Sequence, residues 1–135
     1  MAFVVQAVQD DGGIYRNNLV TGGLSTYNTA LCMIALHATG DPSLNRIVLD
    51  ARRFMAESQK LTGDEADGGF GYSRRTFLLH ADLQNTAAAA QAMRLTAGVE
   101  DMRPSAEGRV DIDWERMVGF IERLQNDEDT GPEHA

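Results

Sequence analysis

The chain contains one sequence pattern twice. An acidic residue followed by two glycines occurs at 11–13 and again at 67–69, and an Asn-Thr-Ala triplet follows each, at 28–30 and at 85–87. The second glycines, at 13 and 69, are 56 positions apart, and the triplets, starting at 28 and 85, are 57 apart. Self-similarity at such a period is the signature of repeat architectures. The chain is therefore predicted to fold as two copies of one supersecondary unit.

Each unit is predicted to contain an inner helix. The first is predicted to be capped by Ser25 or Thr26, and its centre, Ala30–Leu36, is apolar on every side. A helix with this pattern is expected to be buried all round. The second is predicted to follow the N-cap Asp82 and to run over Leu83–Ala97. Its alanines would let another helix approach closely.

Outer helices are predicted from a single apolar stripe. The segment 41–59 places apolar residues at i, i+3, i+4 and i+7, and its charged residues, Arg52 among them, are assigned to the opposite face. A second outer helix is predicted at about 111–125, and Phe3–Gln9 is expected to be the last two turns of another. The stripe of the 111–125 helix comprises Trp114, Met117, Val118, Ile121 and Leu124.

These elements predict an all-α fold of stacked helical hairpins, in which amphipathic outer helices cover apolar inner helices. The chain, 1–135, is expected to be a single domain. Its first repeat covers about 9–59 and its second about 59–125. Residues 126–135 are expected to form a polar, acidic tail.

Composition and charge exclude several classes of protein. The chain has 20 acidic and 12 basic residues and a net charge of −8, whereas non-specific nucleic-acid binding needs a basic surface. No apolar run approaches the roughly 20 residues of a membrane-spanning helix, and the N-terminus lacks the basic region of a signal peptide. Its one cysteine, Cys32, cannot form a disulfide within the chain. We therefore expect a soluble, cytoplasmic protein with no nucleic-acid partner.

A motif lies at the predicted corners between outer and inner helices. A basic residue and an aromatic, Arg53-Phe54, are followed by a glutamine and then by an Asp-Gly-Gly-aromatic turn. This pattern resembles the prenyltransferase and squalene-cyclase repeat of terpenoid cyclases and protein prenyltransferase β-subunits. The resemblance implies an α/α toroid, in which inner helices ring a cavity, and gives the motif residues a structural role. They are Gln9, Gly12, Gly13, Gln59, Gly68, Gly69 and Phe70.

The chain departs from this family at the position of the catalytic acid. Cyclases that act by protonation carry Asp-x-Asp-Asp-Thr-Ala at the start of an inner helix, with the middle Asp as the acid. Residues 82–87 have the sequence Asp-Leu-Gln-Asn-Thr-Ala. Gln84 therefore occupies the acid position, and an amide cannot supply a proton. Asp82 is expected to be a helix cap.

The chain also departs from the family at the zinc ligands. Protein prenyltransferases bind zinc through an Asp, a Cys and a His, and Asn85 stands where the His would be. Cys32 lies inside an inner helix, and His80 and Asp82 have no third ligand. We therefore expect no metal and no cofactor.

Five residues are candidates for ligand binding. Arg74 and Arg75 precede the second inner helix, where free N–H groups favour anions such as a diphosphate. Tyr27 and Tyr72 lie in equivalent regions at the expected cavity mouth and could contact an apolar chain. Asp82 completes the set. The alternative is a solvated loop and packed tyrosines.

The function expected from these features is that of a terpenoid-cyclase- or prenyltransferase-like repeat module without its own catalytic acid or zinc ligands. Whether the chain is an enzyme is left open. The alternative is a non-catalytic repeat domain for protein–protein contact or apolar-ligand binding. Because two hairpins form only an arc with exposed ends, we expect either a fragment of a larger toroid or association of copies. The expected ligand is an isoprenoid or another apolar molecule.

Overall fold

The computed structural model describes residues 2–16, 24–72 and 81–129, with side chains described between residues 3 and 125 of these ranges. This part of the chain is all-α, as predicted, and its only extended pairings are two isolated bridges, Val8–Ile14 and Phe70–Asp82. The α-helices are α1 (Ala2–Val5), α2 (Ser25–Ala38), α3 (Asn45–Ser58), α4 (Leu83–Leu95) and α5 (Trp114–Asp129). Short 3-10 helices occupy Pro42–Leu44, Ala97–Met102 and Ser105–Glu107.

The two helices predicted to be inner, α2 and α4, lie side by side, and we call them the inner pair. They pack against each other, while α3 packs on α2 and α5 packs on α4. The Phe70 N–H donates to Thr86 Oγ1 in the first turn of α4. Two residues later, the Tyr72 carbonyl accepts from the Thr26 N–H in the first turn of α2. Since one short segment contacts both N-terminal turns, the two inner helices run in the same direction.

The two glycine corners are built alike. Gly12 has φ +88° and Gly68 has φ +86°, a left-handed conformation that favours glycine. A β-carbon at Gly12 would lie 2.6 Å from the Asp50 carbonyl oxygen in α3. A β-carbon at Gly68 would overlap the Arg116 carbonyl in α5. Each corner therefore rests directly on the backbone of the outer helix that follows it.

The same hydrogen bond joins each corner to its inner helix. The Ile14 N–H donates to Thr29 Oγ1 at 2.9 Å, and the Phe70 N–H donates to Thr86 Oγ1 at 3.0 Å. All four residues are fully buried. The predicted spacings therefore correspond to matching contacts, with 14 and 70 separated by 56 positions and 29 and 86 by 57.

Several predicted helix ends were wrong. Helix α2 has Leu24 as its N-cap in a left-handed conformation, and Ser25 and Thr26 lie buried inside the helix instead of capping it. Helix α1 ends at Val5, short of Gln9, because the chain turns there to pair Val8 with Ile14.

At the other ends, α4 stops at Leu95 instead of Ala97, because a 3-10 helix, Ala97–Met102, follows it. Helix α5 continues to Asp129, so the predicted polar tail begins as helix. Residues 130–135 of that tail lie outside the described residues.

Three predictions of burial were also wrong. Helix α2 is not buried all round, because Leu31 is 47% exposed and Ala35 is exposed as well. On α5, Val118 and Ile121 are exposed, and Phe120 packs inward against Gly69 instead.

Arg52 was assigned to the solvent face of α3 and is in fact 1% exposed. Its position follows from spacing, since it lies four residues after Val48 and three before Met55, both of which are buried.

Candidate functional site

The N-terminal ends of α2 and α4 bring together three of the predicted ligand-binding residues. Tyr27 lies half-buried in the first turn of α2, and Tyr72 is 41% exposed beside it, held by the backbone hydrogen bond to Thr26. Leu24 and Leu83 are exposed at the starts of the same two helices, by 40% and 52%. This end of the inner pair therefore presents apolar side chains to solvent.

Asp82 is the N-cap of α4, as predicted. Its Oδ1 accepts from the Asn85 backbone N–H at 2.8 Å, and the Asn85 Nδ2 donates to both carboxylate oxygens. Asn85 itself is fully buried, and its Oδ1 has no hydrogen-bond partner. The carboxylate of Asp82 therefore holds the first turn of the helix.

Arg74, Arg75 and His80 lie outside the described residues. Among the residues that are described, no group of three or more His, Cys, Asp or Glu side chains could hold a metal ion. Cys32 is half-buried in α2, and this burial raises the pKa of its thiol.

The motif glutamines bind backbone groups at the corners. Gln59 Oε1 accepts from the Asp113 N–H at 2.8 Å, and Gln59 Nε2 donates to the Asp113 carbonyl at 2.9 Å and the Gly68 carbonyl at 3.0 Å. Gln59 thus joins the end of α3 to the start of α5. Gln9 donates instead to the Tyr15 and Ala7 carbonyls within its own corner.

A buried network of charged residues lies between α3 and the C-terminal end of α4. It was not predicted from the sequence. Arg52 on α3 donates from Nε to Glu100 Oε2 and from Nη1 to the Met93 carbonyl and Thr96 Oγ1 at the end of α4. Its Nη2 donates to the Val110 carbonyl. The network therefore ties the first outer helix to the C-terminal end of the second inner helix.

Arg103 lies on the other side of the same carboxylate. Its Nε donates to Glu100 Oε1 at 2.7 Å, and its Nη2 donates to the Leu49 carbonyl. Burial alone would raise the pKa of Glu100, but hydrogen bonds from Arg103, the Val110 N–H and Arg52 outweigh burial and lower it to about 2. The carboxylate is thus held charged between two guanidinium groups.

This network is structural, because its polar groups bind one another or the backbone. Glu100 and Arg103 of this network also line a cavity of about 400 Å³. Asp101 and Arg109 on its rim form an exposed ion pair with each other at 2.9 Å. The N-terminal end of the inner helices, with its exposed apolar side chains, is therefore the better candidate for a functional site.

Comparison with known proteins adds no relative to these observations. No protein-family model matches the chain, and neither a curated protein nor a solved structure was found to be similar to it. Within the described residues, no helix has both the length and the apolar character needed to cross a membrane.

Proposed function

We propose that this chain is a repeat module of terpenoid-cyclase- or prenyltransferase-like architecture, an arc of an α/α toroid. In this proposal its inner helices form part of the wall around an apolar ligand. The observation that carries the proposal is the duplicated corner, in which Thr29 and Thr86 accept from equivalent backbone N–H groups and Gly12 and Gly68 rest on successive outer helices.

The proposed module supplies no proton and no zinc ligand of its own. Gln84 is exposed at the position that bears the acid in protonating cyclases. Asp82 supports this proposal because its carboxylate is bound to the first turn of α4. Any catalytic acid would have to come from outside this chain.

The proposed ligand is an isoprenoid or another apolar chain, bound at the N-terminal end of the inner helices. Leu24, Tyr72 and Leu83 would contact its hydrocarbon, since all three are exposed there. Arg74 and Arg75 are proposed to bind a diphosphate if the ligand carries one.

Titration calorimetry with farnesol and with farnesyl diphosphate tests this proposal. We expect both to bind, and Leu83→Ser to weaken both, because the lost side chain removes apolar contact. Leu61→Ser is the matched control, because Leu61 is 54% exposed and Leu83 is 52% exposed. Replacing Arg74 and Arg75 by glutamine should weaken only the diphosphate.

Two results would refute this binding site. One is that neither ligand binds the folded chain. The other is that Leu61→Ser weakens farnesol as much as Leu83→Ser does. Incubation with either ligand is expected to give no cyclised product.

A second candidate function is protein–protein contact by a non-catalytic repeat domain. It is favoured by Leu31, which is 47% exposed on α2. The readout for this candidate is the hydrodynamic mass in the absence of any isoprenoid, so the two candidates are measured separately.

A further inference from the structure

Equivalent positions of α2 and α4 differ in burial according to the side of the helix on which they lie. With the 57-residue spacing, Thr26 and Ala30 correspond to Leu83 and Ala87. Thr26 is 2% exposed and Ala30 is fully buried, whereas Leu83 is 52% exposed and Ala87 is also exposed. On this side, α2 is covered and α4 is open.

The opposite side shows the reverse difference. Ala92 is fully buried on α4, whereas its equivalent Ala35 is exposed on α2. Ala88 is half-buried, whereas its equivalent Leu31 is 47% exposed. Spacings of four residues put each set on one side of its helix.

The packing of α2 against α4 explains both differences. Each helix covers one side of the other, and the described residues on the remaining side of each helix are exposed. We call the open side of α4 the leading flank, and the open side of α2 the trailing flank. The leading flank comprises Leu83, Ala87, Gln91 and Arg94, and the trailing flank comprises Leu31 and Ala35.

The composition of α2 is unusual for a helix with an open side. The segment Ser25–Ala38 contains no Asp, Glu, Lys or Arg. Helices that face solvent on one side normally carry charged residues there. The trailing flank is therefore suited to contact with another helix.

We propose that the leading flank of α4 docks on the trailing flank of α2 in a second copy of this chain. The contact would repeat the α2–α4 packing already present within one copy, so the occupant is specified by an existing interface. Small residues at Ala87 and Ala35 permit the same close approach of helices. The inference names the partner for the protein-contact candidate above and rests on it.

Such a contact joins two different surfaces, so it is heterologous and leaves one open flank on each end of the assembly. Copies can then add until a ring closes or continue as a chain. An association through two identical surfaces would stop at a dimer.

Light scattering during size-exclusion chromatography, over a range of concentrations, tests this inference on the full chain. We expect a mass above one copy that rises with concentration. Ala87→Glu blocks the leading flank, and Ala35→Glu blocks the trailing flank. Each variant alone should be monomeric, because a buried unpaired charge weakens an interface by roughly tenfold or more. An equimolar mixture of the two variants should form a heterodimer, since one intact flank of each kind remains.

Ala106→Glu is the matched control, because Ala106 is exposed on a 3-10 helix away from both flanks. It should assemble like the unmodified chain. Circular dichroism checks that every variant is folded, and Ala87→Lys and Ala35→Lys replace any variant that is not.

Three results would overturn the inference. They are a monomeric unmodified chain at every concentration, a homodimer formed by either variant alone, and wild-type mass for both variants. Farnesol binding by monomeric Ala35→Glu would leave the ligand proposal standing, so the two proposals can fail separately.

Discussion

Arg52 on α3 donates from Nε to Glu100 Oε2 at 2.7 Å, and both side chains are almost completely buried. Arg103 approaches the same carboxylate from the other side, also at 2.7 Å. The buried network thus holds one carboxylate between two guanidinium groups. Removing one partner of a buried ion pair is far more costly than forming the pair is favourable, because the remaining charge is left uncompensated.

Glu100→Gln should therefore destabilise the protein strongly. The substitution leaves Arg52 and Arg103 charged and buried without their shared carboxylate, and we expect a loss of about 3–5 kcal/mol in the free energy of unfolding. Urea denaturation measures it. Asp101→Asn is the matched control, because Asp101 pairs with Arg109 at the surface, and it should change stability by less than about 1 kcal/mol. Equal effects of the two substitutions would contradict a structural role for Glu100.

The same carboxylate should make stability depend on acid pH. Its pKa is about 2 in the folded protein, against an ordinary value of 4.5. A group with a lowered folded pKa stabilises the fold above its unfolded pKa, and that contribution is lost as the pH falls toward the folded value. We expect the urea concentration at the midpoint of denaturation to decrease as the pH is lowered from 4.5 to 2. In Glu100→Gln this decrease should be smaller. A parallel profile for the variant would show that other carboxylates are responsible.

Gly68→Ala should prevent the second corner from forming as it does here. Gly68 has φ +86°, and a β-carbon there would overlap the Arg116 carbonyl. Gly63 has φ +76° but nothing within 4 Å of an added β-carbon. Gly63→Ala should therefore lower the free energy of unfolding by only about 1–2 kcal/mol, because alanine disfavours the left-handed conformation. Gly68→Ala should lower it by more. Thermal denaturation of both variants compares them, and a smaller loss for Gly68→Ala would contradict the close packing.

Thr86→Val and Thr29→Val should have similar effects, because they remove equivalent hydrogen bonds. Each leaves a buried backbone N–H, of Phe70 or of Ile14, without its acceptor, which costs about 1–3 kcal/mol. The two losses should add in the double variant, because the corners are separate. Thr62→Val is the control, because the Thr62 hydroxyl bonds Asp64 in an exposed loop. Chemical denaturation measures both losses. If only one of the two substitutions lowers stability, the corners are not equivalent.

The all-α fold class and the two matching corners could be predicted from the sequence because they depend on local signals. Glycine pairs and the Asn-Thr-Ala triplets mark both corners, and the structure places Thr29 and Thr86 in matching hydrogen bonds. The cap at Asp82 was predicted for the same reason, since an N-cap depends on residues within one turn.

The buried network could not be predicted from residue types. Arg52 was assigned to solvent because it is charged, although its spacing from Val48 and Met55 places it on the apolar stripe. Glu100, its partner, lies 48 residues away, and no local pattern pairs them. Exposure of Leu31 likewise depends on which helices are neighbours, and not on the apolar run that contains it.

The side-chain amide of Gln59 binds both backbone groups of Asp113, 54 residues further along the chain. The predicted boundary between the repeats, at about residue 59, is therefore bridged by a side chain that contacts residue 113. A protease that nicks the exposed loop 61–65 would leave two pieces that remain interlocked, and neither half of the gene expressed alone would encode a self-sufficient unit.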